Sequence, residues 1–249
     1  MSGLRIDYSG LPGLREDADV RTARRKLRRR TRQRYVAYAR GVAWALFRRA
    51  AFLACLAVLP FFVLIRGGTF AYHRTAIGTW PALLLSVMAT VLLLGVYAWR
   101  AGRRLGIRGN LRALAIRVGA GLAFVYVGYA LVYVASVNVK SDDLRMEYAS
   151  IHPLLRVASS ALILADPGVV ITDVGRTPED YWLMGLPENE ASLHFEQATG
   201  YVHALDLRTV SRPEWRNRLA ELAFWALGFH SLRHVGTADH LHVSLRLPE

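Results

Sequence analysis

Six of the eight histidines in this 249-residue chain fall in its last 56 residues, and two of them, His240 and His242, alternate within the segment HLHVSLR (240–246). Successive side chains of a β-strand point to opposite faces, so both imidazoles share one face while Leu241 and Val243 occupy the other. Neutral imidazole is a common metal ligand. The pattern therefore indicates a metal-binding edge on an otherwise apolar strand, although two surface histidines would produce the same alternation.

Further candidate ligands precede this strand in the segment ASLHFEQATGYVHALDLR (191–208), which contains His194, His203 and Asp206. The chain has a single cysteine, Cys55, which excludes an internal disulfide and any multi-cysteine zinc or iron–sulfur site. A metal ion would therefore have to be bound by histidine, aspartate or glutamate side chains.

An arginine, Arg176, follows the β-branched segment VVITDV (169–174), which predicts a strand. Taken in order, these segments resemble the zinc peptidases of the D-alanyl-D-alanine carboxypeptidase/dipeptidase family, whose superfamily includes lysostaphin-type endopeptidases and the hedgehog signalling domain. The family pattern is a strand ending in arginine, then S-x-H-x-x-G-x-A-x-D, then a helix, then a terminal strand with E-x-x-H or H-x-H. Ser192–His194 matches S-x-H, Ala204–Asp206 matches A-x-D, and Asp239–His242 matches the last part. The resemblance covers roughly the last third of the chain.

The resemblance implies that His194, Asp206 and His242 bind Zn2+. Zinc commonly takes three such ligands, keeps a further position for water and lowers the pKa of that water toward about 7. One departure is the spacing, because histidine and aspartate are twelve residues apart here, against about seven in the family pattern. The extra residues make His203 a rival ligand. If residues 200–207 form a strand, His203 and Asp206 point to opposite faces, which favours His194 with the additional residues looped out.

Three residues are implied to be catalytic. Arg176, with its planar cationic side chain, would hold a substrate carboxylate or the developing oxyanion. For proton transfer, Asp239 occupies the position of the family's glutamate but is one methylene shorter, and His240 is the substitute in relatives with H-x-H. The remaining histidines near the C-terminus, His230 and His234, are expected to be surface residues.

The C-terminal part of the chain has the pattern of a mixed α and β domain. The predicted elements are helices over 153–165, from Thr177 and from Ser211 to Gly228, and strands over 169–174, 230–234 and 240–246. The last helix has an apolar face formed by Trp215, Leu219, Leu222, Ala223 and Ala226. We expect this domain to have a small, mainly antiparallel sheet, with Trp182, Trp215 and Trp225 packed in its core or on its surface.

Three apolar segments precede this domain, at 50–65, 75–99 and 118–139, and they contain no charged residue over 16, 25 and 22 positions. As helices they would measure about 24, 37 and 33 Å, against a hydrocarbon core of about 30 Å. Arg48 and Arg49 can extend the first span by reaching toward lipid headgroups. The sequence therefore predicts three transmembrane helices, the first acting as an uncleaved anchor.

The basic residues predict the orientation of these helices. Lys and Arg number 14 before the first span, 2 in the loop over 66–74 and 6 in the next loop over 100–117, so the N-terminus and the second loop are expected in the cytoplasm. The net charge is +18 over residues 1–138 and −5 over 139–249. The basic run at 24–34 favours attraction to anionic lipid over nucleic-acid binding, because no base-reading or aromatic residues are interleaved with it. A nucleic-acid partner is not expected.

Three regions follow from these patterns: a basic cytoplasmic segment over 1–49, a three-helix transmembrane region over 50–139, and a zinc-peptidase-like α+β domain over 140–249 outside the cytoplasm. The expected location is the cytoplasmic (inner) membrane, with the last domain in the periplasm. The expected function is a membrane-anchored zinc metallopeptidase that hydrolyses peptidoglycan peptides. The alternatives are a non-catalytic binding or regulatory module with a degenerate peptidase-like fold, and a nucleic-acid binder that uses the basic segment.

Overall fold

The computed structural model describes residues 12–106, 109–183, 185, 187–189, 191–236 and 239–248. The helices are α1 (Pro12–Thr75), α2 (Thr79–Arg104), α3 (Asn110–Val132), α4 (Asp142–Glu147), α5 (Pro153–Ala165), α6 (Pro178–Leu183) and α7 (Glu214–Leu227). The strands are β1 (Ile171–Asp173), β2 (Ala204–Arg208), β3 (His230–His234) and β4 (His240–Ser244). The chain divides into two compact units, Met1–Ala57 and Val58–Glu249, and the candidate site lies within the second.

The three predicted apolar segments lie in α1, α2 and α3, and each of these helices is long and apolar enough to cross a membrane by length and composition. Two boundaries differ from the prediction. Helix α2 begins at Thr79 rather than at residue 75, because Ala76 and Gly78 have positive φ angles of 48° and 84°, which interrupt the helix. Helix α3 ends at Val132, since Tyr133 is already extended.

The expected small antiparallel sheet is confirmed, with the strand order β1-β2-β4-β3. Each neighbouring pair is antiparallel. In the register between β2 and β4, Asp206 lies opposite His242, and in the register between β3 and β4, His234 lies opposite His240. These two pairs place four of the polar side chains on one face of the sheet, because alternate residues of a strand share a face. The other face carries apolar residues that include Leu241 and is buried.

The apolar helix α5 joins the sheet to α2 and α3. Its buried residues include Leu154, which lies against Gly68 of α1 so closely that a Cβ on the glycine would meet the leucine at 2.6 Å. The Tyr126 hydroxyl of α3 donates to the Val157 carbonyl over 3.1 Å, and the Arg156 guanidinium donates to a carbonyl near the end of α3. One continuous set of buried apolar side chains therefore runs from Leu64 to Leu245, through the helices and the sheet.

Helix α7 packs against the core with the face opposite to its predicted apolar face. It buries Asn217, Ala220 and Phe224, whereas Trp215 and Trp225 are 61% and 69% exposed. Of the two expected positions for the three tryptophans, the core and the surface, the structure has the surface, because Trp182 on α6 is exposed as well. The physical reason is that Phe224, on the other side of α7, supplies the contact with the core, while Asn217 donates to the Thr209 carbonyl.

Candidate metal centre

Three side chains that are distant in the sequence converge at the sheet. The His194 Nε2 atom lies 3.2 Å from His242 Nδ1 and 3.5 Å from Asp206 Oδ1, and the last two atoms are 2.9 Å apart. Strands β2 and β4 supply Asp206 and His242 as direct neighbours in the register. The group could hold a metal ion.

The separations of these atoms suit a small tetrahedral cation. Ligand atoms at about 2.0–2.1 Å from a tetrahedral ion lie about 3.3 Å from one another, close to the three observed values. Two imidazoles and one carboxylate are ligands that zinc takes, and other first-row divalent metals also bind such sets. The geometry and the donor types therefore fit a divalent metal.

The orientation of His194 is fixed by its surroundings. Its Nδ1 atom lies within hydrogen-bond distance of the Val174 carbonyl, and because a carbonyl only accepts, the imidazole must carry its proton on Nδ1. The Nε2 lone pair then faces Asp206 and His242. The backbone is held too, since Arg176 N donates to the His194 carbonyl over 3.0 Å. A second imidazole nitrogen bonded to the backbone is the usual support of a metal-binding histidine.

The additional residues between His194 and Asp206 form a turn. Glu196 and Val202 form an isolated antiparallel β-bridge, and Gln197 N donates to the Tyr201 carbonyl over 2.9 Å. Gly200 has a φ of 75°, a conformation that glycine tolerates best. The insertion is therefore looped out and leaves the site geometry intact.

The rival histidine lies elsewhere. His203 is buried, with Nδ1 3.1 Å from the Leu245 carbonyl oxygen and Nε2 2.7 Å from Thr199 Oγ1. Both ring nitrogens thus have partners outside the cluster. The structure brings His194, and not His203, to Asp206 and His242.

Asp206 is the centre of the polar network. It is buried, its Oδ1 faces the two imidazoles, and its Oδ2 lies 3.1 Å from Arg176 Nη2 and 3.5 Å from His240 Nε2. Burial by itself would raise the pKa of Asp206, but the adjacent imidazoles of His194 and His242 outweigh it and hold this pKa well below the usual value. The carboxylate is therefore anionic at neutral pH, as a metal ligand must be.

Arg176 lies beside the cluster, as its predicted role requires. Its Nε donates to Asp173 Oδ2 over 2.7 Å, and its guanidinium also contacts Asp206. The guanidinium carbon lies 5.9 Å from the centre of the Tyr181 ring. These contacts fix the cation at the wall of a cavity of about 650 Å3, which is also lined by Asp206 and His240.

The two predicted proton-transfer residues differ in position. Asp239 accepts hydrogen bonds from Arg233 Nε at 2.7 Å, Arg233 Nη2 at 2.9 Å and Thr209 Oγ1 at 2.6 Å. These bonds lower the pKa of Asp239, which makes it a weak base. It precedes β4 and lines the same cavity as His240, but its carboxylate is already bound to Arg233 and Thr209. Of the two, His240 is therefore the better placed, at 3.5 Å from Asp206 Oδ2.

His234 is exposed, as expected from the sequence, and it also contacts a residue of the candidate site, which the sequence did not predict. Its ring stacks on His240, with centres 4.6 Å apart and planes 25° apart, and its centre lies 6.4 Å from that of His242. The pairing of β3 with β4 could have predicted this contact. The two strands are consecutive and joined through 235–239, and their register places His234 opposite His240. His230, at the other end of β3, is exposed as expected and lines a different cavity.

Comparison of the chain with protein-family models, with curated proteins and with solved structures finds no match.

Proposed function

We propose that this chain is a membrane-anchored zinc peptidase that hydrolyses peptidoglycan peptides outside the cytoplasm. The observation that carries the proposal is the convergence of His194 Nε2, Asp206 Oδ1 and His242 Nδ1 to within 3.5 Å of one another. The hydrogen bond from His194 Nδ1 to Val174 supports it, because it turns the ligand nitrogen inward. The donor set and its order along the chain agree with the resemblance to the D-alanyl-D-alanine carboxypeptidase family.

His194, Asp206 and His242 would hold the zinc ion. When bound, zinc would polarise the peptide carbonyl and lower the pKa of water. With two imidazole ligands and one carboxylate, the zinc-bound site would keep a net positive charge that favours an electron-rich carbonyl oxygen. The cavity beside the cluster, about 650 Å3, is of the size that small-molecule and peptide ligands occupy.

The other residues of the cavity wall bind the substrate and move protons. Arg176, held by Asp173 and Asp206, presents a fixed cation to a peptide carboxylate or to the developing oxyanion. His240 takes a proton from the attacking water and returns it to the leaving amine, and the stacked ring of His234 holds His240 in place. Asp239 keeps a structural role in this scheme, because its carboxylate binds Arg233 and Thr209.

The location and substrate class are supported by the helices and the charges. Helices α1, α2 and α3 are long and apolar enough to cross a membrane. The 14, 2 and 6 basic residues that flank the spans favour a cytoplasmic N-terminus, which leaves 140–249 outside. A peptidase in that position faces the cell wall, and short D-amino-acid peptides are what the resembling family cleaves.

The test uses the purified full-length protein in lipid nanodiscs. We expect about one zinc per chain and hydrolysis of peptidoglycan fragments, and His194→Ala should abolish both. The matched control is His230→Ala, which removes an exposed histidine from β3 outside the cluster and should leave both unchanged. Absence of bound metal in the wild type, after incubation with zinc, would refute the proposal.

A second candidate function is a metal-binding module without catalysis. Two observations favour it: Asp239 is bound by Arg233 and unable to serve as a strong base, and Arg176 already has Asp173 and Asp206 as partners. Stoichiometric zinc in the wild type, with no cleavage of any wall peptide, is the result that selects this function over the first.

A further inference from the structure

Helix α7 presents an apolar stripe to the outside of the molecule. The exposed members are Trp215, Leu219, Leu222 and Trp225. With about 100° per residue, the first three lie within about 60° of one another around the helix, and Trp225 lies at the edge of the stripe. The stripe is therefore a surface and not a set of scattered apolar residues. Large exposed apolar surfaces mark interaction sites.

The edges of the stripe have the residues of a helix that lies on a lipid surface. Arg216 and Arg218 lie on opposite sides of the first three members, and each also contacts a carboxylate, Asp166 at 3.5 Å and Glu214 at 3.1 Å. The guanidinium carbon of Arg216 lies 5.3 Å from the centre of the Trp215 ring. Tryptophan is enriched at membrane–water interfaces, and arginine flanks suit the phosphates of lipid headgroups. Protein–protein interfaces are also rich in tryptophan and arginine, so the position of α7 relative to the first span has to distinguish the two occupants.

The C-terminal end of α7 is attached to α1. Thr69 Oγ1 donates to the Leu227 carbonyl over 2.7 Å. Gly228, which follows α7, lies so close to this part of α1 that a Cβ on the glycine would be 2.9 Å from Arg66 Nη1. Thr69 follows the charge-free segment 50–65 by only four residues, or about 6 Å of helix. This distance is about the thickness of the headgroup region on one side of a bilayer.

A basic cavity of about 810 Å3 lies beside the same end of α7. Its lining includes Arg74, Arg246, His73 and His230, together with Trp225 of the stripe. Because these side chains are cationic or can donate hydrogen bonds, the cavity suits the phosphates of lipid headgroups. The stripe and the cavity therefore form one surface with an apolar and a basic part.

We infer that α7 lies along the outer surface of the phospholipid bilayer, with the Trp215–Trp225 stripe in the interface and the basic cavity at the headgroup phosphates. The inference rests on the membrane anchoring in the proposed function. It adds a second membrane contact besides the spans, and this contact sets how the sheet and its metal centre are oriented above the lipid.

The test places a nitroxide label at single cysteines in the full-length Cys55→Ser protein, reconstituted in vesicles of phosphatidylcholine and phosphatidylglycerol. Leu222→Cys reports the stripe, and its neighbour Glu221→Cys, about 100° round the helix, is the matched control. Leu92→Cys, on the exposed surface of α2, reports membrane insertion itself. Accessibility to oxygen, which partitions into lipid, is compared with accessibility to a water-soluble nickel chelate.

We expect the oxygen-to-nickel accessibility ratio at Leu222→Cys to exceed that at Glu221→Cys about three- to sevenfold, as for an apolar face about 5–10 Å into the interface. A high ratio at Leu92→Cys with equal ratios at the two α7 positions overturns this inference and leaves the membrane anchoring in place. A low ratio at Leu92→Cys overturns both. Exclusion of both reagents from Leu222→Cys, with spin–spin broadening, identifies a second copy of the chain on the stripe and also overturns the inference.

Discussion

A buried imidazole between α2 and the sheet makes the stability of this protein sensitive to acid. His152 has no exposed surface, the backbone N–H of Leu154 donates to its Nδ1 over 3.3 Å, and its Nε2 lies 2.9 Å from Thr79 Oγ1. Because Nδ1 is an acceptor, the ring is neutral and carries its proton on Nε2. Protonation would break the bond to Leu154 and place a charge in the core.

The size of the effect follows from the pKa. Burial, and then the neighbouring His203 and Arg156, lower the pKa of His152 from 6.5 to about 2. The unfolded chain binds a proton below pH 6.5 and the folded chain does not, so stability is full above that pH and decreases as the pH falls. At about 1.4 kcal/mol per pH unit below 6.5, the loss between pH 7 and 5 is about 2 kcal/mol. For a chain of this length that is about 4–8 °C in Tm.

The assay is thermal unfolding of the full-length protein in detergent at pH 7 and pH 5, for the wild type and for His152→Gln. The glutamine amide can still reach Thr79 but does not titrate, so the variant should be less stable at pH 7 and lose about 2 kcal/mol less on acidification. His230→Gln, at an exposed position, should follow the wild type. Equal losses in the wild type and in His152→Gln would show that the reasoning about this imidazole is wrong.

Three further predictions concern the metal centre and the contact of α7. Saturating zinc, at about 100 times Kd, should stabilise the wild type by about 2.7 kcal/mol, and Asp206→Asn should remove this gain in a thermal-shift titration. Asp173→Asn should keep the zinc, measured by elemental analysis, yet lower kcat/KM about tenfold, because Arg176 loses its main partner; an unchanged rate would exclude Arg176 from substrate binding. Gly228→Ala should cost about 1–3 kcal/mol in thermal unfolding, since φ is 94° and the added methyl would lie 2.7 Å from an α1 hydroxyl.

The sequence was sufficient to predict the elements whose pattern depends only on their own residues. The alternation around His240 and His242 predicted a strand with both imidazoles on one face, and the observed strand has them there. The uncharged segments predicted three long apolar helices, which are present. Opposite parity of His203 and Asp206 was enough to prefer His194, because a looped-out insertion costs little when its ends stay paired.

The features that were missed depend on which element lies against which. An apolar face on α7 predicts a contact but does not identify the partner, and here Phe224 on the other side makes the core contact. The position of His234 depends on the hairpin register with His240, which requires the length of the turn. The Asp239 carboxylate binds Arg233, which lies on the neighbouring strand. The residues next to Asp239 in the sequence do not predict this contact.

The packing of α5 against α2 and α3 has a practical consequence for anyone who wishes to work with the C-terminal domain alone. Leu154 lies against Gly68, and Tyr126 holds Val157, so a truncated fragment that starts near residue 140 would expose to water the surface that these helices cover. Such a fragment would be prone to aggregate, and the geometry of the candidate metal centre would be loosened. The smallest unit worth expressing or crystallising retains all three long apolar helices, with a detergent or lipid belt around them.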